Sequence, residues 1–478
     1  MRYYWTRFLL SYPKTIVYML QSSEYHLKDY FSWLDCSADM RLIMKRRKLD
    51  YTKKARLLLA FIWIKLLAIY LLSLVLIIIS IYIANYFIII LAVFLLFIAP
   101  LIITYGISIP LWLGQKLIQE PKSRKIIASA QQIFAKHPAL KIAIAGSYGK
   151  TTAKEILQTV LGESKRIAFT PGNINTLIGI ARFAEKLSGD EEVIIIEFGE
   201  EKVGDIKKMC DLSQPGMGII TGINEAHLSS FGTLDRTIAT IFELQDYLGD
   251  KPLYKNLESA LVSSKIDKND KLAFNRDGVN GWRISDVLAD INGTSFTAKK
   301  DSKIISAHTG LLGLHNLGVI VAVISIADSI GLSVNQITTG LNKTVPFEHR
   351  MQPRNLQGAW IIDDTYNGNS EGVQAGLLLL KGLEAKRRIY ITPGLVEQGD
   401  KNKEIHENIG KQIAQVADIV VLMKNSVTDY ICNGLKESKY KGRLLIIDNP
   451  LEFYSNLDQF VAAGDVVLMQ NDWTDNYA

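Results

Sequence analysis

Between Leu57 and Leu113 the chain carries a single charge, Lys65, in an otherwise apolar run. As one helix at about 1.5 Å per residue this run would far exceed a hydrocarbon core of about 30 Å. Two spans fit better, near 62–84 and 86–106, with Asn85 at a very tight turn. A cleavable signal peptide is disfavoured, because the run begins too late and no small-residue cleavage site precedes soluble sequence. The competing reading is a buried hairpin in a soluble core, where so long an apolar run is rare. Arg41, Lys45, Arg46, Arg47, Lys48, Lys53, Lys54 and Arg56 precede the spans, and Lys116, Lys122, Arg124 and Lys125 follow them. Positive charge on both flanks places both ends on the cytoplasmic side of a cell membrane, as a multi-pass anchor. The basic cluster either sets this topology or binds anionic membrane lipid.

Charge elsewhere is nearly balanced. The first 56 residues hold twelve Lys and Arg against five Asp and Glu, which accounts for the net charge of +6, so a nucleic-acid-binding body is not expected. Cys36, Cys210 and Cys432 lie far apart without metal or CxxC spacing, as suits free thiols in a reducing compartment. The segment 19–34 is amphipathic enough to lie on a bilayer surface or against the rest of the protein.

From Lys141 the pattern becomes α/β. Apolar runs (KIAIA, RIAFT, EVIIIEFG, GMGIITG) alternate with helix-like segments, as a parallel sheet covered on both faces requires. Residues 250–310 are more polar and rich in turns, which suggests a strand-bearing insertion. After PFEHRMQPRN the alternation restarts through GAWIIDD, RRIYITPG, DIVVLM, RLLIID and DVVLMQ, a second, Rossmann-like domain. The expected organisation is a basic N-terminal segment (1–56), a transmembrane hairpin (57–113), a central P-loop domain with a mostly parallel sheet (114–348) and a C-terminal Rossmann-like domain (349–478).

GSYGKTT, residues 146–152, follows a predicted strand and opens a predicted helix, so unpaired N–H groups and the positive helix end converge there. Gly146 and Gly149 permit close backbone approach, Lys150 can neutralise phosphate oxygens, and the Thr151 hydroxyl can ligate Mg²⁺. The strict Walker spacing needs glycine where Ile144 stands, so the loop is a shorter variant; an ordinary strand-to-helix turn is the plainer alternative.

AGSYGKTTAKE, TPGNINTLIG (170–179), IEFGE (196–200), ITGINEAHLSSFGT (220–233), GLHN (313–316), EHRM (348–351), IDDTYNGNS (362–370) and TPGLVEQG with the downstream His406 together resemble, in order, the Mur ligase family of ATP-dependent amide-forming enzymes. The resemblance covers roughly 139–478, and DDTYNGNS is similar to the motif of the branch that adds D-alanyl-D-alanine to UDP-MurNAc-tripeptide. It implies an enzyme in which the γ-phosphoryl of ATP activates a carboxylate as an acyl phosphate, which an amine then attacks, giving an amide, ADP and phosphate. Such a site needs cations around the moving phosphoryl. The implied ATP site is Gly146, Ser147, Tyr148, Gly149, Lys150, Thr151, Thr152, Asn316, Arg350 and Asp364, with Asn316 at adenine and Asp364 near the ribose. Lys150, Glu197, His227 and Arg350 are the implied catalytic residues, with Thr151, Glu197 and His227 on Mg²⁺. Asn173, Asn175, Asn367 and Asn369 lie on the substrate side. The implied partners are a peptidoglycan-precursor peptide, UDP- or lipid-linked, and an amino acid or dipeptide. Taken singly, these residues also read as an exposed arginine, a solvated glutamate, a core histidine, helix-end caps and turns.

Three departures stand out. The lysine that the family modifies to a carbamate falls at Ile241; Gly368, Ser370 and Val319 alter the substrate and adenine motifs; and nothing in 1–140 resembles the family's UDP-sugar-binding domain. A ligase making another amide, or a nucleotide-binding membrane scaffold without activity, therefore stays open as an alternative.

Overall fold

The computed structural model describes residues 3–37, 39–43, 49–172, 174–224, 231–366, 368–395 and 401–471. They divide at Arg124–Lys125 into two units.

In the first unit α1 (Tyr12–Ser22) and α2 (Leu27–Cys36) precede α3 (Lys53–Ile83), α4 (Tyr86–Gly106) and the short α5 (Ser108–Gly114). α6 (Glu120–Lys136) follows. The hairpin turns where expected: Ala84 adopts φ +52°, and the Asn85 side chain caps α4 by accepting from the Phe87 N–H at 3.0 Å. The first helix begins nine residues before the expected start at 62, at Lys53, behind a Thr52 cap. Lys53–Ile83 and the continuous helical run Tyr86–Lys136 are long and apolar enough to cross a membrane; an 18-residue window in each has mean hydropathy 2.9 and 3.1, and most of each window is exposed.

The amphipathic segment 19–34 is not one helix. It breaks at Ser23–His26 between α1 and α2, and its apolar residues pack on the base of the hairpin. Ile16, Val17, Leu20, Tyr30 and Leu34 bury against Leu58, Ile62, Leu66, Ile103 and Ile107. The Tyr12 hydroxyl lies 2.5 Å from the Thr104 hydroxyl, and Tyr30 donates to the Thr104 carbonyl at 3.1 Å. Lys65, the single charge of the run, donates to the Gly106 carbonyl at 3.3 Å and lies over the Phe61 ring.

The second unit is built on two six-stranded sheets. In the first the order is β2-β3-β1-β4-β5-β6, all parallel, with β1 Leu140–Ala145, β2 Ile167–Phe169, β3 Val193–Glu197, β4 Met217–Ile220, β5 Leu253–Asn256 and β6 Ala273–Phe274. Neighbouring residues on one strand enter opposite cores. Ile142, Ile144 and Ile195 pack with α7 (Lys150–Leu161) and the helix Leu317–Ile330, whereas Ala143, Ala145, Ile194 and Ile196 face α8 (Leu177–Ala184), α9 (Asp205–Ser213) and the helix Leu234–Leu248. Apolar strands without alternation are the consequence of this double cover. Of the stretch 250–310 expected as an insertion, β5 and β6 instead extend the parallel sheet, and only β7 (Gly278–Val279), β8 (Trp282–Asp290), β9 (Gly293–Lys300) and β10 (Lys303–Thr309) form a separate antiparallel sheet.

The second sheet has the order β11-β12-β16-β13-β14-β15. β12 (Ala359–Asp364), β13 (Arg387–Thr392), β14 (Ile419–Met423), β15 (Arg443–Ile447) and β16 (Asp465–Gln470) are parallel, and β11 (Gln352–Leu356) adds an antiparallel edge that the sequence pattern did not announce. Pro353 and three polar residues explain its silence.

Candidate functional site

β1 lies between β3 and β4, and its carboxyl end runs into GSYGKTT. Gly146 takes φ +142°, and a Cβ there would collide with the Thr221 hydroxyl and meet the Gly222 carbonyl at 2.8 Å; Gly149 takes φ +78°. Glycine is thus required by the close passage of the chain after β4 as well as by backbone conformation. The loop is pinned to that chain, with the Ser147 N–H donating to the Gly222 carbonyl at 2.7 Å and the Thr221 hydroxyl to the Tyr148 carbonyl. Burial, the largest influence, raises the Tyr148 phenol above its ordinary pKa.

α7 starts at Lys150 with no side-chain cap, and Thr151 and Thr152 occupy its first turn. Its leading N–H groups are available to an anion. The Ser147 hydroxyl is buried in the loop without a hydrogen-bond partner.

Two ion pairs run side by side below the loop. Lys150 Nζ lies 2.9 Å from Glu200 Oε2 and also donates to the Gly146 carbonyl. One turn on, Lys154 Nζ lies 3.0 Å from Glu197 Oε2 and donates to the Gly172 carbonyl. Lys154 is 0% exposed and Glu197 3%. Both Glu197 oxygens lie 3.2 Å from the Thr151 hydroxyl, which donates to them. Lys154 and Glu200 lie inside the segments AGSYGKTTAKE and IEFGE, yet neither is among the implied site residues. The signal for Lys154 is its spacing of four from Lys150, which puts both on one helix face; for Glu200 it is its place beyond the strand end that carries Glu197.

Asn175 is brought to the same edge, its carbonyl accepting from Gly199 N–H at 2.8 Å and its side chain lying against Gly199. Arg350 stacks on Tyr366, with 4.4 Å from guanidinium carbon to ring centroid, and lies within electrostatic reach of Glu155 on α7 and of Asp364. Burial raises the Glu155 carboxyl, while Lys154 and Arg350 pull it down.

Three expected contacts take local roles here. Asn316 donates to the Leu312 carbonyl at 2.8 Å beside the start of the helix Leu317–Ile330. Asn369 caps the helix Ser370–Gly382, accepting from Gly372 N–H at 2.7 Å. Asp364 accepts from Gln470 at 2.7 Å and from Met351 N–H at 3.2 Å, and burial pushes its carboxyl up to about 6 despite these bonds. Ile241 is 0% exposed in the core beside Ala143 and Ile220. His227, Asn173 and Asn367 lie outside the described residues. Among those described, no group of three His, Cys, Asp or Glu side chains is placed to hold a metal ion.

Comparison with known proteins matches residues 144–327 to the Mur ligase middle domain and 349–470 to the Mur ligase, glutamate ligase domain. The chain is 27% identical over 299 residues to a UDP-N-acetylmuramoyl-tripeptide--D-alanyl-D-alanine ligase of Synechocystis sp., a match covering 61% of this chain and 64%, a little under two thirds, of that protein. It is 24% identical over 340 residues to the Bacillus subtilis protein of the same name, covering 69% and 72%. In fold it is similar to the MurF ligase from Thermotoga maritima in complex with ADP, with a TM-score of 0.63 and 23% identity over 74% of this chain and 81% of that one.

Proposed function

The chain belongs to the Mur ligase family, and from that premise we propose that it is an ATP-dependent ligase joining an amine to a peptide carboxylate of a cell-wall precursor. The observation that carries this reading is the uncapped start of α7, with the orphaned Ser147 hydroxyl and Lys150 beside it. It is a cradle for phosphate oxygens. The named relatives make D-alanyl-D-alanine, the amine they are named for, and UDP-N-acetylmuramoyl-tripeptide the first substrates to try.

The residues fit one hard cation at the nucleotide. Thr151 donates its hydroxyl proton to Glu197, so its lone pairs turn outward, the arrangement in which a P-loop hydroxyl holds Mg²⁺. When bound, that ion neutralises charge on the β- and γ-phosphates. Lys150 leaves Glu200 for the phosphate oxygens, and the α7 N–H groups hold the departing ADP. Carboxylate oxygen attacks the γ-phosphorus and the bond to the β-phosphate oxygen breaks; the incoming amine then attacks the acyl carbon, forming the C–N bond as the C–O bond to phosphate breaks, so that phosphate leaves and the nitrogen sheds a proton. Arg350, parked on Tyr366 within reach of α7, adds positive charge as residues 349–478 close over 114–348. Asn175 lines the acceptor side in this reading.

The anchor belongs to the same reading. Trp63 and Tyr105 are exposed at one end of the hairpin, and Tyr82 and Tyr86 at the other, 92% and 79% exposed. Trp63 to Tyr82 spans about 29 Å of helix at about 1.5 Å per residue, close to a hydrocarbon core of about 30 Å flanked by aromatic belts. Both chain ends then lie at the cytoplasmic face, and tethering favours a lipid-linked acceptor over a UDP-linked one.

Purified full-length protein in lipid is expected to release phosphate from ATP only when acceptor and amine are both present, and Lys150→Ala is expected to lower that release about 1,000-fold. Nucleotide binding without acceptor-dependent release, across soluble and lipid-carried acceptors, rules the ligase reading out.

A further inference from the structure

We propose that Lys154 is the resident cation of this site: its ammonium balances Glu197 permanently and fixes that carboxylate on Thr151, so the nucleotide is served by one divalent ion and not two. The inference rests on the ligase reading and deepens it.

Three observations converge. Lys154 is fully buried yet paired with a carboxylate at 3.0 Å, and its second bond, to the Gly172 carbonyl, ties it to the chain after β2. A long amine sealed on that helix face is costly to bury and is offset only by a carboxylate held equally still. Glu197 is that carboxylate, with both oxygens engaged by Lys154 and Thr151. Its one negative charge is therefore already neutralised before any ion arrives.

A further divalent ion on Glu197 would need to sit beside the ammonium, and among the described residues no three His, Cys, Asp or Glu side chains are grouped to hold it there. Ile241, which stands where the family resemblance would put a carbamate, presents only hydrocarbon to the core. Lys154 is accordingly a positioning residue. Fully buried, it acts through Glu197 on the proton direction of the Thr151 hydroxyl.

The test is the number of Mn²⁺ ions bound per chain, read by electron paramagnetic resonance on the full-length protein with saturating ADP. One nucleotide-dependent Mn²⁺ per wild-type chain is expected. Two overturn the proposal while leaving the ligase reading intact, and none in any variant removes both. Lys154→Met, checked for a cooperative melt, is expected to lower kcat about 100-fold with KM for ATP within about threefold, and to broaden the Mn²⁺ signal as the Thr151 hydroxyl loses its fixed direction. A folded Lys154→Met protein with wild-type kcat and an unchanged signal overturns it. The wild-type count needs no variant, so an unfolded substitution does not shelter the idea.

Discussion

Strands β1 and β12 each lead into the N-terminus of a helix, and the two helix ends are finished in opposite ways. After β12, Asn369 caps the helix Ser370–Gly382, and Gln470 binds both the Gly372 carbonyl and Asp364. After β1, Gly149 supplies no cap, the Ser147 hydroxyl is left without a partner, and lysines take the place of a capping carboxylate. The same α/β architecture thus yields a capped terminus in one half and an uncapped one in the other, the one we propose for phosphate. What makes the site is the withholding of a cap at one helix, reinforced by cations.

The contrast can be broken most severely at Lys150. Lys150→Ala is expected to lower acceptor-dependent phosphate release about 1,000-fold, the scale on which a single stabiliser of transition-state charge acts; the assay is steady-state phosphate production. Asp364 probes the sealed end. Its carboxyl, raised by burial from 3.8 to about 6, binds its proton more tightly folded than unfolded, so the group costs stability above pH 6 and the cost disappears as pH falls below about 4. Asp364→Asn is therefore expected to gain on the wild type by at most about 3 kcal/mol between pH 4 and pH 7.5, since a tenfold difference in proton affinity is worth about 1.4 kcal/mol. Denaturant unfolding at the two pH values checks it, and a gap independent of pH contradicts it.

Smaller effects sharpen the comparison. Thr151→Val removes the hydroxyl on which Glu197 acts and should weaken apparent Mg²⁺ affinity about 10- to 100-fold, measured by titrating Mg²⁺ at fixed ATP. Asn369→Ala should cost about 1 kcal/mol of stability, as lost N-caps do, while ADP affinity, read by calorimetry, stays as it was. A fall in ADP affinity equal to that of Lys150→Ala would mean the second terminus is not sealed against nucleotide after all.

Much of this was written locally. The apolar run, its turn at Asn85, the alternating strands and helices and GSYGKTT were legible because each depends on neighbours within a few residues: length against a bilayer, burial on two faces, glycine at positive φ. The edge strand β11 was not, since its polar sequence is held by pairing with β12 and not by its own pattern. Nor was the break between α1 and α2, where burial against the hairpin base decided which amphipathic residues face inward.

The amino-acid order by itself determined an apolar hairpin, two α/β halves and a phosphate-type loop, because backbone geometry and hydrophobic period act at short range. Only the tertiary structure decided that Lys154 and Glu197 are partners, that Lys150 rests on Glu200, and that Gln470 stands behind the Asn369 cap. Those pairings join residues 43 to 98 positions apart or stand behind ones that do, and their energy comes from burial shared between elements, a quantity that no window of sequence contains.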